Sequence, residues 1–129
     1  MNYNELTLRH FATALHAGEL HGAAVRRGTA GDRASGTWVQ FDVQCDPGPG
    51  GAAVVRAVKF RAFGCPHVIA VADWLSGQAV GRDALPGLPV SVAALQQRFA
   101  VPTEKRGRLL LVEDAWIAAF SAPYRQSMV

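Results

Sequence analysis

Cys65 stands in the stretch KFRAFGCPHVIAVADWL, Lys59 to Leu75, at the joint between a strand-like run and a helical pattern. A thiol at a helix start meets backbone N–H groups and the positive end of the helix dipole, which lowers its pKa and favours thiolate. The thiolate is both a metal ligand and a nucleophile, so its chemistry depends on its company; the alternative is a small buried residue closing a turn. His67, two residues on, is read as a partly exposed polar residue at the helix start. It would gain a role either by swinging in as a ligand or by acting as the base for a Cys65 nucleophile. The other cysteine, Cys45, falls on the inward side of a strand pattern and is read as core packing.

The elements that must position these groups follow from the periodicity. TWVQFDVQC (37–45) alternates, with Val39, Phe41, Val43 and Cys45 on one face and Gln40, Asp42 and Gln44 on the other. DPGPGG (46–51) reads as a turn, and VVRAVKFRAF (54–63) alternates again, placing Val58, Phe60 and Ala62 inward and Lys59 and Arg61 outward. Together they make an antiparallel hairpin. After Cys65 the period changes: Val68, Val71, Ala72 and Leu75 follow helical spacing, Pro66 suits the first helical position and Gly77 the end. A helix over 3–15 carries Asn4 as its cap, and Gly18 and Gly22 end that element. A short helix over 91–99 has Ser91 as its N-cap, and a last helix runs from about 107 to 121 with Pro123 beyond it. Residues 23–36 are polar and glycine-containing, with room for a short edge strand at best. The class is α+β, a small antiparallel sheet with helices packed on one face.

The hairpin separates the two thiols. With Cys45 opposite Val54 and Trp38 opposite Arg61, Cys45 sits at the turn end and Cys65 just past the open end. About ten residues of strand put them roughly 30 Å apart, too far for a disulfide or a shared metal. Asp32 and Arg33 fall near the open end, and so near Cys65.

The chain of 129 residues is enough for one domain, and half of it is hydrophobic. Net charge is +3 and the basic residues are scattered apart from Arg26-Arg27 and Lys105, Arg106 and Arg108, so no nucleic-acid partner is indicated. No apolar run approaches the ~20 residues that span a membrane, and the start lacks the pattern of a signal peptide. Two cysteines make no disulfide framework. The expectation is a soluble cytoplasmic protein.

Three stretches in register resemble one family. FGCPHVIAVADWLSGQAV is similar to the strand-to-helix joint of the NifU/IscU-type iron–sulfur cluster assembly scaffolds, LLLVEDAWIAAF to their last helix, and YNELTLRHFATALHAG to their first. The resemblance covers about Tyr3 to Phe120 and implies one NifU N-terminal-like (IscU-like) domain over 1–129. It further implies a scaffold rather than an enzyme, with a cysteine desulfurase and other cluster-assembly proteins as partners, and a homodimer among its states. The family's chaperone-binding Leu-Pro-Pro-Val-Lys falls on Val101 to Lys105, where only Pro102 and Lys105 match, which argues against chaperone docking. The implied cargo is iron, a labile 2Fe-2S cluster or zinc, held in the family by three cysteines, an aspartate and in some members a histidine. Here the matching ligands are Cys65 and Asp32, with His67 as an accessory candidate. Ala30 stands where the first cysteine would be, and Gly107 and Arg108 where a His-Cys pair precedes the last helix.

These departures leave one thiolate and one carboxylate, too few for a stable site on a single chain, since zinc and iron–sulfur centres ordinarily take four ligands. Arg108 instead puts a permanent cation beside the site. It either pairs with Asp32 or the Cys65 thiolate, standing in for the metal's charge, or points to solvent. Three functions follow: a scaffold-like protein that binds iron or a nascent cluster weakly or only in a dimer, a metal-free interaction module docking a desulfurase or another assembly protein, and a thiol enzyme using Cys65 and His67.

Overall fold

The computed structural model describes residues 3–122; Pro123 lies outside them. The elements are α1 (Glu5–Thr13), β1 (Val25–Asp32), β2 (Thr37–Pro47), β3 (Ala53–Phe63), α2 (Pro66–Ala79), α3 (Val92–Arg98) and α4 (Arg106–Ser121). The three strands form one antiparallel sheet in the order β1-β2-β3.

The starts of α1 and α3 are closed as the sequence suggests. Asn4 Oδ1 accepts the Thr7 N–H at 2.9 Å, and its Nδ2 donates to the Arg98 carbonyl at 3.0 Å, tying α1 to the end of α3. Ser91 Oγ accepts the Ala94 N–H at 3.1 Å. α1 stops at Thr13, short of the expected residue 15, because Ala14 turns left-handed at φ 40°. α2 runs through Gly77 to Ala79 instead of ending there. Gly77 serves a packing purpose: a Cβ at that position would lie 3.0 Å from the His16 imidazole.

β1 is a full strand of eight residues, longer than its sequence suggests. The reason is α4. A Cβ on Gly28 would stand 2.1 Å from the Ala119 nitrogen and 2.6 Å from the Ala115 carbonyl oxygen, so the bare glycine lets helix backbone lie directly on the strand. In the β2–β3 hairpin Trp38 faces Phe63 rather than Arg61, and an irregularity between Gln44 and Cys45 sets Cys45 against Val55. The two-residue shift preserves the parity, so the predicted inward set remains inward. Val39, Phe41, Val43, Val58 and Phe60 are buried, with α2 and α4 packed on the sheet and α3 packed against α4.

The sheet's other face is less open than the alternation implies. Asp42 is fully buried, held by Arg27 Nε at 2.7 Å and Nη2 at 2.9 Å and by the Leu20 N–H at 3.0 Å. Gln40 beside it is buried too. Their charge and polarity are satisfied by a facing strand residue and the segment after α1, which lets them leave water.

Candidate functional site around Cys65

β3 ends at Phe63, and Cys65 occupies the position before the first turn of α2, extended at φ −77°, ψ 166°, with Pro66 as the first helical residue. Its carbonyl accepts the N–H groups of Val68 at 3.0 Å and Ile69 at 3.3 Å, which opens the helix. The sulfur closes no capping hydrogen bond of conventional geometry. Half-burial pushes the thiol up. The Val68 amide, the Arg108 guanidinium as donor and charge, and the His67 amide pull it down and outweigh the burial, leaving Cys65 more acidic than an ordinary cysteine.

Arg108 therefore faces Cys65, one of the placements its sequence position left open. It is delivered by the first turn of α4, which the Thr103–Lys105 3-10 turn leads into. Asp32 lies at the same end of the sheet: it sits opposite Thr37, next to the Trp38–Phe63 pair. Its carboxylate is exposed and engaged in its own turn, where Oδ1 accepts the Ser35 N–H at 2.8 Å and its carbonyl accepts from Ser35 Oγ at 3.1 Å. Arg33 adds a second cation to this end, its guanidinium 5.3 Å from the Trp38 ring centre and 5.9 Å from that of Phe63.

His67 departs from its expected exposure. It is only 2% exposed, and neither ring nitrogen has a hydrogen-bond partner. Tyr3 covers it edge-on at 4.7 Å between ring centres, and the Lys105 ammonium lies 5.9 Å from the Tyr3 ring. Burial, with the nearby charges of Lys105 and Arg108, pushes the pKa of the imidazole below its usual value. With no hydrogen bond to the thiol, His67 makes no nucleophile–base contact with Cys65. Tyr3 and Lys105 belong to the site as well. Tyr3 reads in the sequence as part of a helical stripe and of the family-like first stretch, and Lys105 as one of a basic group and a match in the chaperone-binding stretch; nothing local ties either to residue 67.

Cys45 sits at the far end of the hairpin, and burial raises its thiol. Among the described residues no group of three or more His, Cys, Asp or Glu comes together in a way that could hold a metal ion. One thiol with a cation acting on it, a buried imidazole and a carboxylate engaged in a turn do not fit a four-coordinate zinc or cluster site. What the arrangement does provide is a thiol more acidic than an ordinary cysteine at a basic sheet end.

The family model described as the NifU-like N terminal domain matches residues 2–128. The chain belongs to this family. Among its NifU-like relatives, the mitochondrial iron sulfur cluster assembly protein 1 of Debaryomyces hansenii is 29% identical over 115 residues, which is 88% of this chain and 63% of that protein. The bifunctional protein NifU/MnmA of Rubrobacter xylanophilus is also 29% identical, over 92% of this chain but 24% of its own length. The NifU-like chain thus spans less than two thirds of both. A crystal structure of a putative iron–sulfur cluster assembly scaffold protein for the SUF system, from Fervidobacterium islandicum AW-1, matches with a TM-score of 0.64 at 14% identity, covering 92% of this chain and 96% of that one. That likeness is one of fold, and it agrees with the α+β layout of a three-stranded sheet and four helices. No helix among the described residues is long and apolar enough to cross a membrane.

Proposed function

We propose that this NifU-like chain acts in iron–sulfur cluster assembly, in the cytoplasm, and that a single chain does not retain a cluster. Its relatives' names supply the process. Arg108 beside Cys65 is the observation that carries the rest, because a guanidinium acts on the thiol that a metal would otherwise bind. Iron or a nascent cluster is cargo, met weakly or between two copies through Cys65 and Asp32, with His67 in support. No catalysis is assigned. Anaerobic reconstitution with iron and sulfide, followed by elemental analysis of separated monomer and dimer, tests this. The expected result is no visible-range cluster absorption in the monomer, and whatever iron is recovered is lost in a Cys65→Ser variant. A monomer with stable cluster absorption would overturn it.

A second reading, a metal-free module that docks a cysteine desulfurase, is favoured by α1 and the residues just after it. Leu8, Phe11 and Leu15 are 49%, 41% and 74% exposed there. Serine at all three positions should then abolish co-purification with the desulfurase while leaving the fold intact. Unchanged co-purification would remove this reading.

A further inference from the structure

We propose that the cleft between α1 and α2 binds a small phosphate monoester with an apolar body. The site lies about two to three turns along α2 from Cys65, and the proposal does not rest on the cluster-assembly reading. The cleft holds about 410 Å³ and is walled by Arg9, His10, Leu15 and His16 on one side and by Trp74 and Gln78 on the other. It is built around one carboxylate. Asp73 is 2% exposed; its Oδ2 meets His10 Nδ1 at 2.7 Å, and its Oδ1 accepts the His16 N–H at 2.9 Å. Both oxygens are therefore engaged within the protein, and the first fixes the His10 ring. Across that ring, Nε2 has no hydrogen-bond partner among the described residues. The His16 imidazole lies one helical turn further along α2, with its Nε2 3.0 Å from where a Cβ of Gly77 would stand. Neither nitrogen of that ring is hydrogen-bonded among the described residues.

The charge around the opening sets the ligand. Arg9 is the cation of the wall. Arg82 Nη2 donates to Gln78 Oε1 at 3.4 Å, and the Arg98 guanidinium lies 4.8 Å from the Trp74 ring centre. None of these three arginines stands in an ion pair among the described residues. The exposed carboxylates of Glu5 and Asp83 line no part of the cleft. Arg9 offers a fork of N–H donors, Gln78 keeps its amide N–H groups free while its oxygen takes Arg82, and each imidazole donates from a nitrogen that carries hydrogen. A dianion with three acceptor oxygens matches this set better than a carboxylate with two. Trp74 and Leu15, the latter 74% exposed, give the apolar wall that inorganic phosphate alone would leave uncovered.

The test is calorimetric titration of the full chain, with a chelator present, using phenyl phosphate, benzoate, inorganic phosphate and benzylamine. Phenyl phosphate should bind about tenfold tighter than benzoate or inorganic phosphate, and benzylamine should not bind. Its titration should shift the backbone amides of His16, Gly77 and Gln78 in two-dimensional NMR. Gln78→Glu puts a like charge in the wall and should weaken phenyl phosphate about tenfold, and Arg9→Gln about threefold. Both positions are at least partly exposed, so urea midpoints close to that of the unaltered chain are expected. Arg56→Gln removes a cation that pairs with Asp46 across the other end of the hairpin and should leave the affinity unchanged. No binding of phenyl phosphate, benzoate bound as tightly, an unaltered affinity in Gln78→Glu, or a loss in Arg56→Gln as large as in Arg9→Gln would each overturn the proposal.

Discussion

Replacing Gly28 with alanine tests how the sheet and α4 together aim Arg108 at Cys65. The added Cβ would stand 2.1 Å from the Ala119 nitrogen, 2.5 Å from the Ala118 carbonyl carbon and 2.6 Å from the Ala115 oxygen, all of them backbone atoms with no rotamer to escape into. Ordinary contact starts at 3.4 Å, so the helix must retreat by about 1.3 Å from the closest of the three. α4 carries Leu109, Val112, Ala115, Trp116 and Ala119 into the core at 0–1% exposure, and Trp116 meets Phe41 edge-on at 4.9 Å. A retreat of that size loosens all of these contacts at once. Overpacking typically costs 1–3 kcal/mol, and backbone against backbone belongs at the top of the range, about 3 kcal/mol. Urea denaturation read by tryptophan fluorescence measures the loss as a lower midpoint. Because Arg108 rides on the same helix, the thiol of Cys65 should titrate higher in the variant as well. Gly28→Ala within about 0.5 kcal/mol of the unaltered chain would refute the close approach of β1 and α4, and with it this account of how Arg108 is positioned.

Gly107 is the contrasting glycine: a Cβ there meets nothing within 4 Å and it lies inside α4, so Gly107→Ala should stabilise by about 0.5–1 kcal/mol in the same denaturation assay. His67 makes a prediction about pH. Its folded pKa lies below the unfolded value of 6.5, so below that pH the unfolded chain takes up a proton that the folded chain refuses. Stability should therefore fall as the pH drops from 6.5 through the lower folded value, and His67→Gln should flatten that part of a stability–pH curve.

Much of this was legible in local pattern. The alternation of β2 and β3 names their inward faces, and the change of period at Cys65 marks the start of α2. Its limits are physical. β1 has no apolar alternation to read because the point where α4 touches it is Gly28, and a close backbone approach leaves no hydrophobic signature. Asp42 reads as solvent-facing because its partner Arg27 is fifteen residues away on the neighbouring strand. The end of α2 is hidden in the same way, since Gly77 makes room for His16 instead of stopping the helix. At the site, the placement of Cys65 follows from its own neighbours in sequence. The burial of His67 depends on Tyr3, 64 positions earlier, and no periodicity around residue 67 carries that information. Arg108 stands between these cases: its position beside the site came from the family resemblance, and only the packing of α4 selects Cys65 over Asp32 as its partner.

The central claim is that Arg108 serves as the counter-ion of the Cys65 thiolate. The direct measurement is the rate of Cys65 alkylation by iodoacetamide, a neutral reagent, as a function of pH, in the unaltered chain and in Arg108→Gln, with Cys45 followed as an internal reference. The account predicts that Cys65 reaches half its maximal rate at lower pH than an unstructured cysteine. It also predicts that Arg108→Gln moves that midpoint upward while Cys45 remains slow and shifted to high pH. A Cys65 midpoint that is ordinary, or that does not respond to the loss of Arg108, would contradict it.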